Sequence, residues 1–357
     1  MRIISFLALP LLILACSNSD ESPTIPTVPA EEMYFPPLSN NAWETKSPTD
    51  LNWNESEIQP LLDYLELKNT KSFMVLQNGR IVIEQYFNGH TATSPWYWAS
   101  AGKTLTATVI GIAADEGQLS INNKVSDFLG SGWTSAPLEK ENLITVKHLL
   151  TMSSGLDHFS HGDCVTPDCL EYNADAGTKW AYHNVYVKLQ DVVAEATGQS
   201  WNDYFTAKLK NKIGMTGTWI PIDNLSIYWS NTRSMARFGL LALNNGKWES
   251  EQIVSTEFMQ QATNTSQQMN KSYGYLWWLN GKQSYMLPQS PLVFQGSIIP
   301  EAPADMYAAL GRDDQKIYVV PSKNLVIIRM GESADGTNFA LSDFDSVLWE
   351  KISAVIE

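Results

Sequence analysis

The sequence predicts an α+β fold, an α/β sandwich in which one antiparallel sheet is flanked by helices. Two strand patterns near the start of the chain flank Asn78-Gly79, a dipeptide typical of tight hairpins. Further β-rich runs lie near the C-terminus, whereas the middle of the chain has mostly helical spacing. Strands from both ends can bury their faces in one sheet, so we expect a helical insertion between two sheet-forming parts. The predicted strands are 73–76, 81–87, 273–279, 305–310, 316–320 and 325–330.

Apolar residues at helical spacing define the remaining elements, and glycine or a polar turn ends most of them. The predicted helices are 56–67, a buried helix that starts near Ser100 and runs through 114, 146–152, 184–197, 201–213, 231–243 and 342–356. The catalytic domain is therefore expected to cover 51–357. Its sheet part comprises about 51–118 plus 270–357, and its helical part about 119–269.

Composition limits the classes of partner. The chain has 357 residues and a formal net charge of −14, which argues against nucleic acid and anionic membrane surfaces as partners. The 13 tryptophans supply ample apolar volume for a core, and we expect most of those near the motifs to be core. These five are Trp96, Trp98, Trp180, Trp277 and Trp278. We expect a monomer that acts on a small molecule.

The first residues are a targeting segment. A short basic start and an apolar stretch too brief to span a bilayer end in small residues before Cys16. This arrangement resembles the bacterial lipobox, which implies cleavage after residue 15 and lipid on Cys16. An ordinary signal peptide with a coincidental cysteine is the alternative. We expect a flexible tether over 16–50 and a bacterial cell-envelope location, in the periplasm or outer membrane, with membrane contact only through the Cys16 anchor.

The two remaining cysteines are five residues apart. An exported protein meets an oxidising compartment, so we expect a disulfide between Cys164 and Cys169. The nearby His158, His161 and Asp163 also permit a zinc site. The disulfide explains the cysteines better, and we expect no metal.

Ser100-Ala101-Gly102-Lys103 opens the most apolar helix of the chain. A hydroxyl and an amine three residues apart lie on one helical face. An ammonium in a core is costly unless it is paired or neutral, and a neutral amine can take a proton from serine. The spacing therefore suggests a nucleophile, Ser100, and its activating base, Lys103.

Tyr182 and Asn184 precede the 184–197 helix. A phenol is a useful acid or base when a nearby cation lowers its pKa, and Lys103 is the expected cation. In the alternative interpretation Asn184 caps the helix and Tyr182 packs in the core. A third candidate is the charged turn Arg312-Asp313-Asp314, which opens the strand that starts near Gln315. Alone, it also fits an ordinary solvated turn.

In this order, Ser100-x-x-Lys103, Tyr182-x-Asn184 and a late-strand motif resemble the serine β-lactamase and penicillin-binding-protein superfamily. The Tyr-x-Asn form resembles its class C-like branch, which includes esterases and 6-aminohexanoate-dimer hydrolases. The resemblance implies a β-lactamase/transpeptidase-like fold and an acyl-enzyme on Ser100, with no metal or organic cofactor. It also implies acid–base roles for Lys103 and Tyr182, and a role for Asn184 in binding substrate and supporting the lysine. The backbone N–H groups of Ser100 and Gln315 would form the oxyanion hole.

The third motif departs from the family pattern, which is usually Lys-Thr-Gly or His-x-Gly. Arg312-Asp313-Asp314 stands in that register, so Asp314 takes the place of the usual glycine. Arg312 can replace the cation that binds a substrate carboxylate, but Asp313 and Asp314 would partly cancel its charge. We therefore expect an exported hydrolase of esters or amides. The alternatives are a β-lactamase or D-Ala-D-Ala carboxypeptidase, and a non-catalytic envelope binding or sensor protein on the same fold.

Overall fold

The computed structural model describes residues 32–39, 42–336 and 340–357. The predicted signal peptide and Cys16 lie outside the described residues. Within the described part of the chain, no helix is both long and apolar enough to cross a membrane.

The predicted α+β architecture is confirmed, with one six-stranded antiparallel sheet at its centre. The strand order is β2-β1-β13-β12-β11-β8, so two N-terminal strands join four C-terminal strands in one sheet, through the pairing of β1 with β13. The hairpin turn has positive φ at Asn78 (47°) and Gly79 (80°), as a type I′ turn requires. The strands are β1 (Thr70–Gln77), β2 (Arg80–Tyr86), β3 (Trp96–Tyr97), β4 (Thr218–Ile222), β5 (Leu225–Ser230), β6 (Lys247–Trp248), β7 (Glu251–Gln252), β8 (Trp278–Leu279), β9 (Ser284–Met286), β10 (Val293–Gln295), β11 (Tyr307–Gly311), β12 (Gln315–Val320) and β13 (Leu325–Gly331).

In the part of the chain that the structure describes, ten α-helices surround the sheet or fill the insertion. They are α1 (Ile58–Leu67), α2 (Lys103–Asp115), α3 (Ser126–Leu129), α4 (Leu138–Glu141), α5 (Val146–Leu150), α6 (Lys188–Thr197), α7 (Trp201–Phe205), α8 (Thr232–Leu243), α9 (Thr256–Ala262) and α10 (Asp343–Ile356). The predicted 201–213 helix is α7 followed by a π-helical turn, Thr206–Lys210. The predicted strand 273–279 is wrong for most of its length, because only Trp278–Leu279 joins the sheet.

Helices cover both faces of the sheet. On one face, Tyr318 of β12 packs against Trp349 of α10 at 5.4 Å between ring centres. On the other, α8 lies so close that a Cβ on Gly239 would meet Val326 Cγ1 at 2.5 Å. The assignment of 231–243 to the helical part is therefore corrected, because α8 packs directly on β12 and β13.

A second, three-stranded sheet, which the sequence patterns did not predict, supports the approach to Ser100. β3 pairs with β5, which pairs with β4, all antiparallel. After β3, the Trp98 N–H donates to the Tyr228 carbonyl at 2.9 Å. The turn that carries Ser100 is thus held by two strands from the middle of the chain.

The predicted 16–50 tether is too long. The Tyr34 N–H donates to the Asn78 carbonyl at 3.0 Å, and Trp43 Nε1 donates to the Gly79 carbonyl at 2.7 Å. Thr45 forms a parallel bridge with Ile81. These contacts cover the outer edge of β2, which an edge strand otherwise exposes. The domain therefore begins near Met33 rather than at residue 51.

Candidate active site

Ser100 lies in a one-turn 3-10 helix, Ala99–Gly102, that leads directly into α2. Ala99 has a φ of 47°, an uncommon conformation for a residue with a side chain. Lys103 Nζ lies 2.7 Å from Ser100 Oγ, within hydrogen-bond distance. The structure therefore brings the predicted nucleophile and base into direct contact.

Lys103 is nearly inaccessible to solvent, with 3% of its surface exposed. Its Nζ lies 4.9 Å from the ring centre of Tyr182 and 4.4 Å from that of Tyr186. Burial lowers the pKa of Lys103 to about 7, and the Asp163 carboxylate partly opposes this shift. Near neutral pH a large fraction of Lys103 is therefore a neutral amine that can accept a proton.

Tyr182 is also in the site, but its pKa moves against expectation. Burial raises the pKa of Tyr182 to about 12, and a hydrogen bond with Ser100 only partly offsets the increase. The predicted lowering by Lys103 is wrong, because burial penalises the phenolate and a largely neutral lysine gives little compensation. Tyr182 remains a protonated donor, so it suits the role of an acid.

Asn184 is linked to Lys103 through Asp163. Its Nδ2 donates to Asp163 Oδ1 at 2.6 Å, and Asp163 in turn attracts the charge on Lys103. The helix-cap alternative is not observed, because the 3-10 turn Asn184–Val187 has His183 at its N-cap. The sequence indicates Asp163 only as a possible metal ligand, because no local pattern places it near Lys103.

A disulfide begins at the residue that follows Asp163. Cys164 and Cys169 are bonded, with their Cα atoms 5.9 Å apart. Neither of these two cysteines therefore has a thiol that could bind zinc. In residues 32–39, 42–336 and 340–357, no three His, Cys, Asp or Glu side chains gather where they could hold a metal ion.

Gly311, at the end of β11, is the glycine that lies beside the nucleophile. A Cβ at this position would lie 2.4 Å from the Trp98 carbonyl oxygen and 3.0 Å from the Ala101 nitrogen. Only a residue without a side chain permits this approach. The sequence register placed the missing glycine at Asp314, and the structure corrects it to Gly311.

Asp314 lies away from Arg312, whereas Asp313 stays near it. Asp314 is fully buried and lies 3.2 Å from Lys316 Nζ, inside the sheet–helix interface. Asp313 Oδ2 accepts a hydrogen bond from the Tyr97 hydroxyl at 2.7 Å. Arg312 keeps 60% of its side chain exposed and lies 3.9 Å from Asp313. The expected cancellation of the Arg312 charge by Asp314 is therefore wrong.

Alternation along β11 identifies which backbone groups face the nucleophile. The Met306 carbonyl accepts from Asn280 N–H at 2.9 Å on the outer edge of the sheet. Residues two apart in a strand direct their N–H and C=O groups to the same side, so the Arg312 N–H also faces that edge. β8 pairs only with Tyr307 and Ala308, which leaves the edge free near the Ser100 turn.

Gln315 does not suit the role predicted for its N–H group. It pairs with Gly311 across the β11–β12 hairpin, so by the same alternation its N–H points back to Gly311. Its buried side chain instead holds the turn, because Nε2 donates to the carbonyls of Asp313 at 2.9 Å and Gly331 at 2.6 Å. The Arg312 N–H replaces it as the second oxyanion candidate beside the Ser100 N–H.

Comparison with known proteins identifies the family of this chain. The family model described as "Beta-lactamase" matches residues 70–348. An uncharacterized protein of Alkalihalophilus pseudofirmus is 24% identical over 298 residues, which cover 72% of this chain and 82% of that protein.

Two solved structures share the fold. A candidate 6-aminohexanoate-dimer hydrolase from Bacillus anthracis has a TM-score of 0.69 at 18% identity, with 90% of this chain and 89% of that chain covered. An octameric penicillin-binding protein homologue from Pyrococcus abyssi has a TM-score of 0.59 at 16% identity, with 84% and 77% covered. The matched family span includes the Ser100 helix, Tyr182 and the whole β11–β12 hairpin, and this chain belongs to the beta-lactamase family.

Proposed function

We propose that this chain is an exported serine hydrolase that cleaves an ester or an amide through an acyl-enzyme on Ser100. The observation that carries the proposal is the 2.7 Å contact between Ser100 Oγ and the Nζ of Lys103, whose pKa burial lowers to about 7. A serine becomes a strong nucleophile only when an adjacent base removes its proton.

In the first half-reaction, neutral Lys103 takes the Ser100 proton as Oγ attacks the substrate carbonyl. The negative charge that develops on the carbonyl oxygen would be stabilised by the N–H groups of Ser100 and Arg312. Tyr182 then donates its proton to the departing alcohol or amine, and the C–O or C–N bond breaks. Tyr182 recovers a proton from Lys103, which leaves both groups as they began.

In the second half-reaction, water replaces the leaving group. Lys103 takes a proton from water, and the resulting hydroxide attacks the acyl carbon. The bond to Oγ breaks, Lys103 returns the proton to Ser100 Oγ, and the acid product leaves.

Replacement of the nucleophile tests the proposal. Ser100→Ala should lower kcat for an alkyl ester by roughly 10⁴-fold or more, with little change in melting temperature. A fluorophosphonate probe should label the unmodified protein and not the variant. Ser56→Ala, at an exposed serine outside the site, is the matched control. Full turnover in Ser100→Ala would exclude the assignment.

A β-lactam-directed activity is the second candidate. The burial of Asp314 against Lys316 leaves the exposed Arg312 better able to meet a substrate carboxylate than the sequence suggested. A covalent benzylpenicillin adduct on Ser100, detected by intact mass, would favour this candidate over the esterase assignment.

Export and lipidation are part of the proposal and depend on Cys16 and the residues before it. Metabolic labelling with an alkyne fatty acid should tag the chain in its bacterial host, and Cys16→Ser should abolish the tag. Equal labelling of both proteins would exclude the anchor.

A further inference from the structure

A cavity of about 310 Å³ opens beside Tyr182. Its wall is mostly apolar and rich in aromatic and methionine side chains. The main contributors are Phe159, Trp180, Tyr182, Met269, Met286 and Leu287. We propose that this cavity binds an uncharged alkyl or aromatic group on the leaving-group side of the substrate, which is the alcohol part of an ester or the amine part of an amide. The inference rests on the proposed function, because it specifies which half of the substrate this site selects.

Tyr182 lies in the cavity wall and also hydrogen-bonds to Ser100. The departing oxygen or nitrogen must contact the phenol that protonates it. The same residue lies in the cavity wall, whereas no residue of β11 or of the turn after it is among the described lining residues. The oxyanion side of the site is therefore separate from the cavity, and the leaving group is the part of the substrate that meets it.

The charges around the cavity disfavour a cationic occupant. No carboxylate is among the described lining residues, so nothing there attracts an ammonium group. The cation in the described lining is Lys179, whose Nζ donates to Asn173 Oδ1 at 2.7 Å and lies 5.8 Å from the centre of the Phe159 ring. Burial lowers the pKa of His158, which keeps its imidazole neutral near pH 7. The apolar wall therefore carries the inference that the occupant is uncharged.

The rim of the cavity extends the apolar surface. Phe159 is 54% exposed, and Val293 on β10 is 52% exposed beside Leu292 at 62%. Large exposed apolar side chains grouped at a cavity mouth are typical of ligand-binding surfaces. The β9–β10 hairpin and the loop near Phe159 thus offer a path along which a longer chain would remain out of water.

Two isomeric esters test which half of the substrate the cavity binds. Hexyl acetate carries its long chain on the alcohol, and ethyl hexanoate carries it on the acid, while both have the same atoms. We expect kcat/KM, measured by acid release, to rise about 3-fold for each methylene added to the alcohol, or roughly 80-fold from ethyl to hexyl acetate. Ethyl hexanoate should be a much poorer substrate than hexyl acetate. Equal rates, or a preference for ethyl hexanoate, would overturn the inference.

A substitution in the cavity tests the location. Leu287→Trp fills space next to Met286, so it should lower the ratio of kcat/KM for hexyl acetate to that for ethyl acetate by at least about 10-fold. Leu67→Trp, at a 76% exposed position at the end of α1, is the matched control and should leave the ratio unchanged. An unchanged ratio in Leu287→Trp would show that the alkyl group binds outside this cavity, and it would overturn the inference.

Labelling of Ser100 distinguishes failure of this inference from failure of the proposed function. A fluorophosphonate should label Ser100, and 1-hexanol should slow labelling of the unmodified protein but not of Leu287→Trp. Labelling that 1-hexanol does not slow would refute the cavity assignment and leave the nucleophile intact. Absence of any labelling would refute the proposed function itself.

Discussion

Lys103 Nζ lies 4.9 Å from the centre of the Tyr182 ring, and one buried environment shifts the two pKa values in opposite directions. Burial lowers the pKa of Lys103 to about 7 and raises that of Tyr182 to about 12. In each case burial disfavours the charged form, which is the ammonium for lysine and the phenolate for tyrosine. The result is a neutral base and a neutral acid that both reach Ser100.

The pH profile of kcat/KM should have one ascending limb with its midpoint near pH 7. Below that pH Lys103 is protonated and cannot accept the Ser100 proton, so activity should fall about 10-fold per pH unit. The descending limb requires loss of the Tyr182 proton and therefore lies near pH 12, beyond the range of ordinary assays. A midpoint near 10 would contradict a buried, neutral lysine.

Asp163→Asn should move this limb to lower pH. The Asp163 carboxylate attracts a proton to Lys103, so its removal lowers the pKa of the lysine further. High salt should have a smaller effect in the same direction, because Asp163 is exposed and screened. Asp168→Asn, an exposed carboxylate on the same loop, is the control. A shift to higher pH in Asp163→Asn would be inconsistent with the structure.

Tyr182→Phe should separate substrates by their leaving groups. Turnover of an alkyl ester should fall by about 10²–10⁴-fold, because the alkoxide must be protonated as it departs. A p-nitrophenyl ester should lose much less, since p-nitrophenolate leaves without a proton.

Tyr186→Phe is the matched control for Tyr182→Phe. Its ring also lies against Lys103, and the variant keeps that contact while removing one hydroxyl. Equal losses for the alkyl and p-nitrophenyl esters in Tyr182→Phe would show that the phenol is not the acid.

Gly311→Ala should abolish most activity. The added Cβ would meet the Trp98 carbonyl at 2.4 Å, so either the Ser100 turn or the end of β11 must move. Misplacement by about 1 Å, or loss of the Arg312 N–H donor, costs on the order of 10²-fold in kcat. Gly117→Ala strains a glycine with φ of 71° in open space, so it should lower stability and spare kcat. Gly311→Ala with full activity would refute Arg312 as an oxyanion donor.

Local sequence signals predicted the local structure well. Asn78-Gly79 specified its hairpin because both residues tolerate positive φ. The three-residue spacing of Ser100 and Lys103 was sufficient to bring them together, because a helix places such pairs one turn apart. The order of the motifs was sufficient to identify the superfamily.

The third motif shows where sequence register was insufficient. Counting placed Asp314 at the family glycine and Gln315 at the oxyanion hole. In the structure, Asp314 pairs with buried Lys316, and Gly311 contacts the Ser100 turn. The approach of Gly311 to the Ser100 turn depends on contacts between segments about two hundred residues apart in the chain. No local sequence pattern indicates such contacts.

The sequence by itself determined the pairing of Ser100 with Lys103 as the candidate nucleophile and base, and the antiparallel sheet, because helical and strand periodicities act over a few residues. The tertiary structure alone decided the burial of Lys103 and Tyr182, the proximity of Asp163 to Lys103 and the choice of Arg312 as the proposed oxyanion donor. These properties arise from burial and from backbone groups supplied by distant segments. The desolvation that lowers the pKa of Lys103 to about 7 exists only when those segments pack around it.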